Sequence, residues 1–170
     1  MKENQKVYIK NLTNHSVGFS CVNYPNHYEL AGEQVLPVKW EHVEDASFGQ
    51  GMRYLFNNGY LKIMPNTENY EEIMDELQLS YLKEVIDNSL SYSEAKKILS
   101  TVPLSTQYAV IKKQLKEGTE TTKQNITNAA LELGIKDYTI NTAIKNVTGV
   151  DVLKTLELKE EPEKQENKED

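Results

Sequence analysis

With 170 residues, the chain has room for one ordinary domain or for two small ones sharing an interface. Its apolar content of 38% allows a modest core, and MKENQKVYIK lacks the apolar stretch of a secretory signal. No run approaches the roughly 18 apolar residues of a membrane span, so no membrane partner is expected. The net charge of −7 argues against a protein that lives by gripping phosphates. That charge is uneven: residues 1–79 carry 6 basic and 11 acidic side chains, residues 80–156 carry 10 and 8, and residues 157–170 carry 3 and 7. The single cysteine, Cys21, cannot close an internal disulfide; it reads as a small buried hydrophobe in a cytoplasmic protein.

Val7 and Ile9, then Val17, Phe19 and Cys21, alternate as half-buried strands do. The turn formers Asn11–Ser16 between them predict a hairpin. Tyr28–Leu30 and Gln34–Val38 follow as two short strands around Ala31-Gly32-Glu33, with Pro37 confined to an edge because it cannot donate to a ladder. From Lys39 the alternation stops. KWEHVEDAS and MRYLFNN predict two short helices, and Gly59 ends the second. Tyr60–Met64 returns to strand character before Pro65 and closes the head.

The rest predicts helices. Asn69-x-x-Glu72 resembles a capping box, Ser91-x-x-Glu94 is one, and Thr121-x-x-Gln124 opens another helix that reaches Gly134. Asp137 is placed to cap YTINTAIKNV, Gly149 to end it, and Asp151 to cap the last short helix. After Leu158, KEEPEKQENKED offers nothing to bury and reads as a disordered acidic tail. The expected fold is therefore α+β. A small β-rich head with a short helical insert (residues 1–66) leads into an α-helical bundle (67–158) and a disordered acidic tail (159–170).

Residues suited to chemistry are scattered. His15, His27 and His42 have no partners at metal-ligand spacing, so neither metal nor cofactor is expected. His42 beside Glu41, Glu44 and Asp45 is equally a solvated helix face. Gly49-x-Gly51 lacks the third glycine and the Gly-Lys-Ser/Thr of the phosphate loops. Glu71, Glu72, Asp75 and Glu76 form an acidic helix face that solvation alone explains. The aromatic group Trp40, Phe48, Tyr54, Phe56 and Tyr60 is mostly core, with one or two of Tyr54, Tyr60 and Tyr70 left as anchors for a protein partner.

One motif competes. Ala130 and Gly134, with Ala129, Leu133, Ile135, Ile140 and Ala143 at packing positions, fit two short helices crossing at a glycine turn. A DNA-reading version places Tyr138, Thr139, Asn141 and Thr142 at base edges, with Lys136 and Lys145 near phosphates. Asp137, Glu132 and the acidic chain oppose it, and a structural helix pair has the same spacing.

VYIKNLTNHSVGF, leading to LPVKWEHVEDASFGQGMRYLFNNGYLKI, resembles the N-terminal segment of small structural proteins of tailed bacteriophages, including crAss-like phages. Gly51, Tyr54, Leu55, Leu61 and Ile63 match in the head, and Thr148, Gly149, Asp151 and Val152 near the end. The likeness covers roughly the first 80 and last 40 residues and leaves the middle helices without a match. It implies a non-enzymatic virion component, made in the host cytoplasm, that sits at the capsid or portal region in many copies among other virion proteins. On that reading Trp40, Arg53, Tyr54, Phe56 and Tyr60 dock on a partner. The alternatives are a helix-turn-helix regulator using residues 136–145, and a small adaptor or inhibitor of a host protein.

Overall fold

The computed structural model describes residues 5–166, with side chains followed to Lys159. The head holds β1 (Lys6–Asn11), β2 (Val17–Ser20), β3 (His27–Leu30) and β4 (Val35–Lys39). Two short helices follow, α1 (Trp40–Ser47) and α2 (Gln50–Asn57), and then β5 (Leu61–Ile63). The helical part holds α3 (Tyr70–Glu76), α4 (Lys83–Asp87), α5 (Tyr92–Leu99), α6 (Tyr108–Glu117), α7 (Glu120–Glu132), α8 (Tyr138–Thr148) and α9 (Val152–Glu166). The α+β architecture anticipated from patterning is the one observed.

The predicted hairpin between the first two strands does not form. β1 is instead the centre of a three-stranded antiparallel sheet, β4-β1-β5, and β2 pairs with β3 in a separate ribbon. Asn11 explains the divergence. Its side-chain amide donates to the carbonyls of His15 (2.7 Å), Leu30 (3.1 Å) and Ala31 (3.0 Å), and its Oδ1 accepts from the Thr13 backbone N–H (2.9 Å). This buried network folds the connection on itself and ties it to the end of β3 rather than returning β2 along β1. Pro37 lies on edge strand β4, as its missing N–H requires.

Caps follow local chemistry with two exceptions. Ser91 and Glu94 make both bonds of a capping box, Asp137 accepts from Ile140 N–H at 2.9 Å, and Gly149 is left-handed at φ 77°. Asn69 is not a side-chain cap: it sits at φ 59° with only its carbonyl engaged by Ile73 N–H. Thr119, not Thr121, caps α7, because the Thr121 hydroxyl is donated to the Asn58 carbonyl at 2.8 Å. Helical backbone continues past Leu158 to Glu166, a run rich in Lys, Glu and Gln that suits a helix; residues 167–170 of the expected tail lie outside the described residues.

Two apolar cores result. The first joins the sheet residues Val7, Ile9, Leu61 and Ile63 to Phe56, and it also takes in Ile73 and Met74 of α3 and Ile86 of α4. The second runs from Tyr92 through Leu99, Ile111, Leu115, Ile126 and Ile140 to Val152. Helices α3 and α4 thus pack with the sheet. The seam between the cores is hydrogen-bonded: Asn125 donates to Leu12 and Leu90, Tyr92 N–H to Leu12, and Ser93 to the Glu33 carboxylate.

Candidate partner-binding surface

Helix α2 sorts its side chains by position. Met52 and Phe56, one turn apart, enter the first core, while Arg53, Tyr54 and Asn57 line the opposite face in solvent. Gly59 then turns the chain at φ 74°, and Tyr60 N–H bonds back to the Leu55 carbonyl at 2.8 Å. That turn lays the Tyr60 ring on Tyr54, with centroids 6.0 Å apart and planes 26° from parallel. Burial, with Tyr54 beside it, pushes the Tyr60 hydroxyl pKa up.

The predicted docking set therefore divides. Tyr54 is 57% exposed and Arg53 is exposed, with its Nε donating to the Ser47 carbonyl at 2.9 Å. Tyr60 is half-buried under Tyr54. Trp40 and Phe56, at 9% and 2% exposure, belong to the core and offer no surface to a partner. The cause is register: Trp40 begins α1 over β1 and β4, and Phe56 lies on the inner stripe of α2. Tyr70 is also buried, donating its hydroxyl to Asp87 at 2.7 Å.

Two exposed rings were not assigned to this face from the sequence. Tyr81, 73% exposed, reaches the Asn57 Oδ1 at 3.3 Å and extends the ridge from α2 to the turn before α4. The signal was present: Leu82, Val85 and Ile86 mark the inner stripe, and Tyr81 lies off it. Phe48, 69% exposed, stands at the corner between α1 and α2, outside the core that its neighbours Trp40 and Phe56 enter. Beside the ridge lies a depression of about 340 Å³ lined by Arg53, Asn57, Asp75, Gln78, Ser80 and Tyr81. The surface thus combines aromatic anchors with amide, carboxylate and guanidinium groups, the composition of a protein-binding patch.

The groups suited to catalysis are engaged structurally. His42 is buried, its Nδ1 shares a short hydrogen bond with the Tyr28 hydroxyl, and its Nε2 lies 3.7 Å from Glu41. Asp45 accepts from Val22 N–H (2.6 Å) and Asn23 N–H (2.9 Å), pinning the loop after β2. Although burial alone raises its pKa, these bonds bring the carboxyl below its usual value. Cys21 is only half-buried, since it falls just beyond β2; burial and then Asp45 raise its thiol pKa, which disfavours the reactive thiolate. Among the described residues, no three His, Cys, Asp or Glu side chains gather as metal ligands, and no helix is long and apolar enough to cross a membrane.

The helix pair α7–α8 forms around Gly134, which is left-handed at φ 63°. Of its predicted reading residues, Tyr138, Thr139 and Thr142 line one groove, while Asn141 does not reach the surface. Asn141 is buried and donates to the Ile135 carbonyl at 2.7 Å, closing the turn, while Lys145 is paired with Asp151 at 2.6 Å. Tyr138 and Lys136 are exposed, and Thr139 and Thr142 are half-buried. A polar residue at a helix-turn-helix position has here become part of the turn that joins the helices. The chain matches none of the protein-family profiles, curated proteins or solved structures with which it was compared.

Proposed function

We propose that the protein is a non-enzymatic assembly component of a tailed-phage virion, binding a neighbouring virion protein through the tyrosine ridge of α2. The observation that carries the reading is the exposed Tyr54 stacked on Tyr60 and continued by Tyr81. Rings held this way have little rotamer freedom left to lose and much apolar area to bury on contact. The head's resemblance to virion structural proteins supplies the setting, and the engagement of His42 and Asp45 within the fold supports a role through contact.

The test is incorporation. Tyr54→Ala leaves the fold intact, with stability changed by about 1 kcal/mol or less because the ring is mostly in water. It removes the chain from purified particles, as read by mass spectrometry. Normal incorporation of a well-folded Tyr54→Ala chain overturns the reading. Phe56→Ala is the contrast: loss of a core ring costs about 3–5 kcal/mol and shows up as unfolding.

A further inference from the structure

Among the described residues, two surfaces of opposite sign keep unpaired charges. On the helical part, a groove of about 520 Å³ lies between α6 and α8, lined by Leu115, Tyr138, Ala143 and Val147 with Lys112 and Lys116 at its edge. Lys112 stands over the Tyr108 ring, 5.8 Å from its centroid, and neither lysine has a carboxylate partner among the described residues. Such a groove suits an apolar segment bordered by acids.

The head presents a segment of that kind. Tyr81 lines a depression with Asp75 of α3, and on the same helix the exposed Glu72 and Glu76 have no cationic partner among the described residues. Of the two cations beside it, Lys83 is neutralised by a carboxylate and Arg53 keeps its charge. Lys83 is paired with Glu71, and Arg53 is turned to the Ser47 carbonyl.

We propose that the lysine-edged groove of one copy receives the tyrosine ridge and acidic α3 edge of a second copy. Because the two surfaces differ, the contact is head-to-tail and repeats, giving a ring or a filament rather than a closed dimer. The inference rests on the assembly reading and names the ridge's partner as the same chain.

Sedimentation velocity of the full chain across concentration and salt tests it. Wild type is expected to associate at low salt and to dissociate at salt on the order of 0.5 M, where charge attraction is screened. Lys112→Glu/Lys116→Glu gives two acidic surfaces and Glu72→Lys/Glu76→Lys two basic ones, so each variant alone stays monomeric. Mixed in equal amounts they regain association, since every groove again meets an edge of opposite sign. A wild type that stays monomeric overturns the proposal, and so does association that the mixture fails to restore. Retention of duplex DNA or of an acidic peptide from another protein by monomeric wild type assigns the groove to that ligand instead and overturns it too. A monomeric wild type whose Tyr54→Ala variant is still excluded from particles leaves the assembly reading standing while this inference fails.

Discussion

The side-chain amide of Asn125 on α7 donates to the main-chain carbonyl of Leu12, 113 positions earlier, at 2.8 Å, and to the Leu90 carbonyl at 2.9 Å. One buried side chain thereby joins the loop after β1, the approach to α5 and the longest helix of the second core whose side chains are all described. The polar seam continues in the bonds of Ser93 to Glu33, Leu90 N–H to Thr122 and Thr121 to Asn58, which also couple the two halves.

Asn125→Ala should therefore weaken both cores together. The Leu12 carbonyl keeps its bond from Tyr92 N–H, but the Leu90 carbonyl loses the amide. The expected cost is about 2 kcal/mol, one buried acceptor left short plus one hydrogen bond lost. Urea unfolding should show a single transition with a lower midpoint; two separated transitions would mean the seam had been the only coupling.

Gly59 and Gly134 are both left-handed, and alanine at the two should differ in effect. At Gly134 a Cβ meets nothing within 4 Å, so Gly134→Ala costs only the backbone strain, about 1 kcal/mol. At Gly59 the added Cβ lies 2.3 Å from Thr119 Oγ1, the α7 cap, so strain and overlap combine to about 2–4 kcal/mol. Equal losses of thermal stability in the two variants would show that Thr119 moves aside freely.

Gln78 ends α3 in the left-handed region at φ 57°, with Leu79 N–H bonded to the Met74 carbonyl at 2.8 Å. This is the helix stop that glycine favours. Gln78→Gly should raise stability by about 0.5–1 kcal/mol, seen as a melting point about 1–4 °C higher. Loss of stability would point to a tertiary role for the amide side chain at the edge of the ridge.

Glu33 fixes the sign of the acid response. Burial raises its pKa, but the Ser93 hydroxyl (2.7 Å) and N–H (2.9 Å), with Ser91 and Lys10, bring it below the ordinary 4.5. A carboxyl whose folded pKa is lowered stabilises the fold fully above its unfolded value and loses that contribution as pH falls through the folded one. Wild type should thus exceed Glu33→Gln in urea midpoint near neutrality, with the gap closing below about pH 4. A gap unchanged down to about pH 2 would assign the effect to packing rather than charge.

What the sequence alone determined is what a few adjacent residues decide. Ser91 and Glu94, Asp137 with its following N–H groups, and Gly59, Gly134 and Gly149 bound their helices because caps and left-handed stops act within one turn. The α+β order of the chain was legible in the same way, from alternation that gives way to helical spacing. Tertiary structure decided the strand partners, because nothing local to β1 distinguishes β2 from β4 and β5; the Asn11 network, which reaches carbonyls 19 and 20 positions away, does. It also decided which rings are surface: Trp40 and Phe56 are indistinguishable in kind from Phe48 and Tyr81 until a sheet covers the first pair and leaves the second in water. Thr119 took the α7 cap from Thr121, and Asn141 was drawn into a turn, for the same physical reason. A buried polar group must find a partner once the chain is compact, and one distant in sequence, as Asn58 is for Thr121, is invisible in the residues beside it.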